Sequence, residues 1–278
     1  MKASELILNA DGSIYHLALR PEDISDTIIL VGDPDRAQLV SRHFDSIEIQ
    51  KQKREFITHT GWLGGKKISV ISTGIGTDNI DIVLNELDAL VNIDFNARKI
   101  NTQLTSLNII RIGTSGSIHP NVLNDDILIS GMAIGTDTLG AYYQATQVAH
   151  LHLPSWSYIT ERHPFDLSGF NNSYTEGITL TCPGFYGPQG RSLRLSPGIE
   201  IEFEKLYALE KEGMHITNME METAGIYLLA SKLGHHAISL NAILAERLSG
   251  RFSAQPEKTI KHLISTTLDW INVSAVFK

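Results

Sequence analysis

Thr27-Ile28-Ile29-Leu30-Val31-Gly32-Asp33-Pro34-Asp35-Arg36 packs a strand, a turn and the start of a helix into one short stretch. Thr27–Val31 is a short apolar run with β-branched residues, the composition of a buried strand. Pro34 has no N–H for a sheet ladder, so the strand stops at Gly32-Asp33. Asp35-Arg36-Ala37-Gln38-Leu39-Val40 then reads as the first turns of a helix. A short buried strand leading directly into a helix is the building unit of an α/β fold.

The same alternation continues outward. Residues 55–62 and 67–72 predict strands joined at Gly64-Gly65, and Thr73-Gly74-Ile75-Gly76 interrupts before a helix over 80–90. That helix is apolar at 80, 83, 84, 87 and 90, a helical spacing. Residues 106–112 predict a buried strand ended by Gly113-Thr114-Ser115-Gly116, and 126–133 predict another. Residues 134–175, rich in His, Tyr, Ser and Asn, read as loops and short helices around a site. A strand over 176–181 enters Cys182-Pro183-Gly184-Phe185, and 202–212 read as a helix closed by Gly213. Residues 220–233 predict a longer helix with Gly234 as its C-cap. After a strand over 237–244, a last helix starts near Pro256, with Ile260, Leu263, Ile264, Leu268 and Ile271 as its stripe. The expectation is one α/β domain over residues 1–278, its sheet mixed or parallel.

The 278 residues, 42% hydrophobic, supply a substantial core near the upper size of a single one. A net charge of -8 without any Lys/Arg-rich run argues against a nucleic-acid or membrane surface, while leaving room for a local anion pocket. The single Cys182 rules out an internal disulfide or a multi-cysteine metal site and suits a reducing compartment. No apolar run reaches the length of a membrane span, and Glu5, Asn9 and Asp11 interrupt the N-terminal stretch. A cytoplasmic location is expected.

Three constellations carry chemistry. Glycine-bearing turns at Gly32–Arg36, Thr73–Gly76 and Arg111–Gly116 let backbone N–H groups approach a small anion, though each alone also fits an ordinary strand-end turn. None is a nucleotide-loop signature. Arg111 sits in an apolar run and needs an anionic partner, which a bound anion or a structural salt bridge would equally supply. Phe185-Tyr186-Gly187-Pro188-Gln189-Gly190-Arg191 combines an aromatic face, an amide and a donor fork. It can read the edge of a planar heterocycle or form a plain surface loop. Asn218-Met219-Glu220-Met221-Glu222, placed at a helix start, offers a carboxylate for vicinal hydroxyls and a methionine floor for a sugar. Acidic residues are also simply favoured in a first helical turn.

Together these segments, with Lys53-Arg54-Glu55-Phe56 and Ile110–Gly116, closely resemble the nucleoside phosphorylase family of uridine phosphorylases and bacterial purine nucleoside phosphorylases. The match keeps its order from about residue 12 to the C-terminus. The resemblance implies a three-layer α/β domain whose mixed central sheet curls into a distorted barrel, in homodimers or in hexamers built from dimers. It implies phosphate held by Gly32, Arg36, Arg111 and Thr114, with Arg54 reaching in from a neighbouring subunit. Ribose maps onto Met221 and Glu222, with Glu220 nearby and His16 contributed across the interface; the base maps onto Phe185, Gln189 and Arg191. Arg36, Arg111, Arg191 and Glu222 would be the catalytic set, inorganic phosphate the co-substrate, and no cofactor would be required. The Gln189/Arg191 pair resembles the uracil-reading pair that the purine enzymes lack. Phosphorolysis of uridine is therefore expected, with another nucleoside, hydrolysis, or binding without turnover as the alternatives. Two positions depart from the pattern. Glu246 stands where uridine phosphorylases have asparagine before the arginine, so it faces solvent, pairs with Arg247, or alters the base-side wall or the closing loop. Some relatives hold potassium through glutamate, an isoleucine carbonyl and serine; Glu55 and Ile75 match, but Asn79 replaces the serine.

Overall fold

The computed structural model describes residues 1–150 and 152–277. β1 (Thr27–Val31) leads into α1 (Pro34–Ser41), where the Asp33 side chain caps by accepting from the Asp35 N–H and Pro34 opens the helix. β2 (Ser46–Lys53), β3 (Phe56–Leu63) and β4 (Lys66–Ser72) form an antiparallel meander, with β4 parallel to β1. α2 (Thr77–Asn92) follows, then the two-residue strands β5 (Ile93–Asp94) and β6 (Lys99–Ile100). Next come β7 (Asn108–Ser117), β8 (Ile127–Gly135), the short α3 (Leu139–Tyr142), β9 (Thr146–Gln147), β10 (Tyr158–Glu161) and β11 (Thr175–Thr181). The chain closes with α4 (Phe203–Tyr207), β12 (Glu210–Lys211), β13 (Met214–Glu220), α5 (Thr223–Leu233), β14 (His236–Glu246), β15 (Arg251–Phe252) and α6 (Pro256–Val273).

The sheet is mixed, and part of it closes on itself. β7 pairs in parallel with β1 on one side and β14 on the other. β14, β8, β11 and β13 continue the order, and β13 returns to pair antiparallel with the end of β7 through Ser117 and Gly116. A five-stranded barrel therefore sits inside the larger sheet. Every residue of β1 is buried because helices cover both faces. Ile28 and Leu30 pack with Leu84, Leu87 and Tyr227 of α2 and α5, whereas Ile29 and Val31 pack with Val40, Leu263 and Trp270 of α1 and α6. That alternation makes the three layers.

Several elements differ from expectation. Gly113-Thr114-Ser115-Gly116 does not end a strand: β7 runs on to Ser117, because this half supplies the barrel's closing edge. The helix expected over 202–212 is only α4, and Gly213, at φ +78°, makes the β12–β13 hairpin turn instead. The helix start expected at 220 lies in β13, and α5 begins at Thr223. Gly234, at φ +80°, does cap α5. Among the described residues, no helix is long and apolar enough to cross a membrane.

Candidate active site

A cavity of about 720 Å³ opens where β1, β4, β7, β13 and β14 end or bend. Its first wall comes from the β1–α1 turn and the inner half of β7. Arg111, 5% exposed, projects from β7 and folds back over Gly113: a Cβ there would stand 1.7 Å from the guanidinium. The glycine is needed for this close approach rather than for a turn. Arg111 Nη2 pairs with Glu222 and lies 3.1 Å from Glu220 Oε2, while Nη1 donates to Asn241 Oδ1 at 2.9 Å. Burial works to lower the arginine's pKa, but the two carboxylates outweigh it and leave it raised. Arg36 reaches the same wall and, among the described residues, makes one side-chain bond, to the Ile112 carbonyl at 3.3 Å, with no carboxylate partner. Burial and the neighbouring Arg111 lower its pKa. A guanidinium so placed attracts an anion, and Gly32 and Thr114 line the cavity beside it.

The floor is the β13–α5 junction. Glu220 is largely spent on structure: it accepts from the Thr223 N–H and hydroxyl, the Glu222 N–H at 3.0 Å and the Thr181 hydroxyl at 2.6 Å. It thereby takes up two N–H groups at the start of α5, while the Ala224 N–H donates to the Thr181 hydroxyl at 2.9 Å. Glu222 points the other way, accepting from the Gly76 N–H at 2.8 Å. Burial pushes the Glu222 carboxyl up; Arg111 pulls against this, and Glu220 adds to the rise. Met221 completes the floor.

The far wall is the loop after β11. Gln189 is 2% exposed, and its Oε1 accepts from Arg191 Nη1 at 2.5 Å. Arg191 also donates to the Phe185 carbonyl at 2.7 Å and stacks over the Phe185 ring at 3.7 Å. Burial, then the nearby Arg247, lower the Arg191 pKa to about 10. Arg247 donates to the Gln189 carbonyl at 2.8 Å and so holds this loop in place.

Of the residues expected at the site, Gly32, Arg36, Arg111, Thr114, Phe185, Gln189, Arg191, Glu220, Met221 and Glu222 share this one cavity. Arg54 and His16 do not line it within one protomer. Arg54 is exposed at the β2–β3 turn, and His16 Nδ1 lies 2.6 Å from Glu86 Oε1. Glu246 neither lines the cavity nor pairs with Arg247; it pairs with Arg251 at 2.6 Å. Glu55, Ile75 and Asn79 do lie together, but Asn79 Nδ2 donates to Glu55 Oε1 at 3.2 Å. A cation there would need that amide turned over to offer its oxygen. Among the described residues, no cluster of three or more His, Cys, Asp or Glu could hold one. The sequence reading singles out neither Asn241 nor Phe252, nor a role for Arg247; a polar residue inside the apolar strand 236–246 is the signal that could have marked Asn241.

Residues 26–263 match the family described as the phosphorylase superfamily. A uridine phosphorylase of Thermococcus kodakarensis is 30% identical over 89% of this chain and 83% of its own length. A DeoD-type purine nucleoside phosphorylase of Caldanaerobacter subterraneus is 28% identical over 91% of this chain and 98% of its own. A Trypanosoma brucei nucleoside phosphorylase, described as showing uridine phosphorylase activity, superposes with a TM-score of 0.83 at 28% identity, covering 95% of this chain and 98% of that one. The chain belongs to the phosphorylase superfamily, as an enzyme with the fold of its nucleoside phosphorylases.

Proposed function

We propose that this enzyme cleaves uridine reversibly with inorganic phosphate, giving uracil and ribose 1-phosphate. The observation that carries this is the polarity of one cavity: Arg36, a guanidinium without a carboxylate partner among the described residues, at one wall and the Gln189/Arg191 pair at another, with Glu222 and Met221 between. Phosphate bound by Gly32, Arg36, Arg111 and Thr114 sits below the sugar as both nucleophile and counter-charge. Glu222 holds the ribose hydroxyls. The C–N bond lengthens first and its electron pair passes to the base, leaving an oxocarbenium-like sugar; phosphate oxygen then bonds the anomeric carbon from the opposite face. Arg191 donates to the base carbonyls as negative charge builds. The side-chain oxygen Gln189 Oε1 has a second lone pair beyond the one Arg191 uses, and it accepts from the ring N–H.

The similarity to uridine-cleaving relatives supports this choice, and comparable identity to purine enzymes makes the base the point to test. In the proposed assembly, a homodimer or a hexamer of dimers, Arg54 and His16 complete a neighbour's phosphate and ribose sites. The proposed compartment is the cytoplasm, in keeping with one buried, unpaired Cys182. Ultraviolet detection of free base from uridine, thymidine and adenosine, each with and without phosphate, tests the reading. Fast phosphate-dependent release of uracil is expected. Release only from another nucleoside would overturn the base assignment, and release without phosphate would overturn the reaction.

A further inference from the structure

The departure at Glu246 has a structural counterpart at the cavity rim. β15 is a two-residue strand, and its Phe252, paired with Ala245 of β14, lines the cavity although the residue is 66% exposed. Burial of the ring therefore does little to hold it there. Two polar anchors flank it. On one side Glu246 Oε2 accepts from Arg251 Nη2 at 2.6 Å and Nε at 3.1 Å, and from the Ser249 hydroxyl at 2.8 Å. Glu246 Oε1 accepts from the Asn124 N–H at 3.2 Å. On the other side the Ser253 hydroxyl donates to Asp125 Oδ1 at 2.6 Å. Residues 251 and 253 are thus both tied to the Asn124-Asp125 corner, one of them through Glu246. Ala245 pairs with Gly116, whose Cα faces Arg191 and Arg247, so the rim under Phe252 is the end assigned to the base.

We propose that Glu246 is a positioning residue that, through Arg251, fastens the β14–β15 hairpin and holds Phe252 against the nucleoside at the base end of the cavity. Two donors of the Arg251 fork, Nε and Nη2, converge on the one oxygen Glu246 Oε2, which orients the guanidinium as well as holding it, and a neutral residue at 246 would not attract it so. The nucleoside contact rests on the uridine reading above; the fastening of the hairpin does not.

The test is steady-state kinetics of Glu246→Ala, Arg251→Ala, Phe252→Ala, the Glu246→Ala/Arg251→Ala double and the swapped Glu246→Arg/Arg251→Glu enzyme. Hydrogen exchange across residues 247–252 is measured alongside without substrate. Each single variant is expected to raise the uridine KM about three- to tenfold, with kcat and the phosphate KM held within about twofold. The double should be no worse than the worse single, the swap should recover at least half of the loss, and exchange should quicken in both single variants of the pair. An unchanged uridine KM in both Glu246→Ala and Arg251→Ala, or additive effects in the double, would overturn the positioning role; unchanged exchange would overturn the fastening itself. A wild-type enzyme inactive on uridine would count against the functional reading alone, and the exchange comparison would still decide the hairpin.

Discussion

Replacing Arg111 with methionine takes away the cation that lies between two buried carboxylates, Glu220 and Glu222, and also orphans Asn241 Oδ1. Methionine fills much of the arginine stem, so the loss is mainly electrostatic. Breaking a buried pair by removing one partner costs about 3–5 kcal/mol, and the fully buried triad belongs at that end of the scale rather than with surface pairs. The pH dependence has a definite sign. Burial already raises the Glu222 pKa in the folded chain, and without Arg111 it rises further. A carboxyl whose folded pKa exceeds its unfolded value, about 4.3 for glutamate, binds more protons folded than unfolded in the window between the two. Its contribution is present below the unfolded pKa and is lost as pH rises through the folded one. The Arg111→Met deficit should therefore be larger near pH 8 than near pH 5.5. Urea denaturation at matched protomer concentration measures it. Adding Glu222→Gln should recover part of the loss, since it removes one uncompensated charge. A deficit below about 1 kcal/mol at both pH values, or one that grows on acidification, would refute the reasoning.

Three further outcomes are expected. Arg36→Ala, which gives up only a 3.3 Å bond to a backbone carbonyl, should raise the phosphate KM at least about tenfold and leave the urea midpoint nearly unchanged. Gly113→Ala drives a Cβ into the Arg111 guanidinium, so turnover should fall by about a hundredfold or more, with a crystal structure showing the arginine displaced. Arg191→Ala should lower uridine turnover by about a hundred- to thousandfold through loss of a preorganised donor, while its melting temperature moves little because Arg191 lies on a loop.

Much of the open sheet was legible because its strands are apolar runs punctuated by Gly and Pro. Thr27–Val31 matches β1 residue for residue, and the 3.6-residue stripe of α6 and the Gly234 cap of α5 stand as expected. The barrel was implied by the family resemblance and stands as expected, but its strand pattern does not announce it. β13 reads Met-His-Ile-Thr-Asn-Met-Glu, and its buried Thr217, Asn218 and Glu220 are polar because they face the barrel interior and the cavity. Asn218, for instance, donates to Ser115 at 2.9 Å and accepts from Thr179. Such a strand carries no hydrophobic alternation to detect. β2 was missed for the opposite reason: it is a charged, mostly exposed edge. At the site, the residue types that speak of anions and heterocycles stood out, whereas Phe252 and Arg247 owe their places to a hairpin that only the folded chain reveals.

In the proposed reaction phosphate, not water, takes the sugar. Following uridine and inorganic phosphate by phosphorus NMR while uracil is quantified in the same sample tests it directly. A new sugar-phosphate ester resonance is expected to grow in step with uracil as inorganic phosphate declines. Uracil released with the phosphate signal unchanged would mean hydrolysis, and would contradict it.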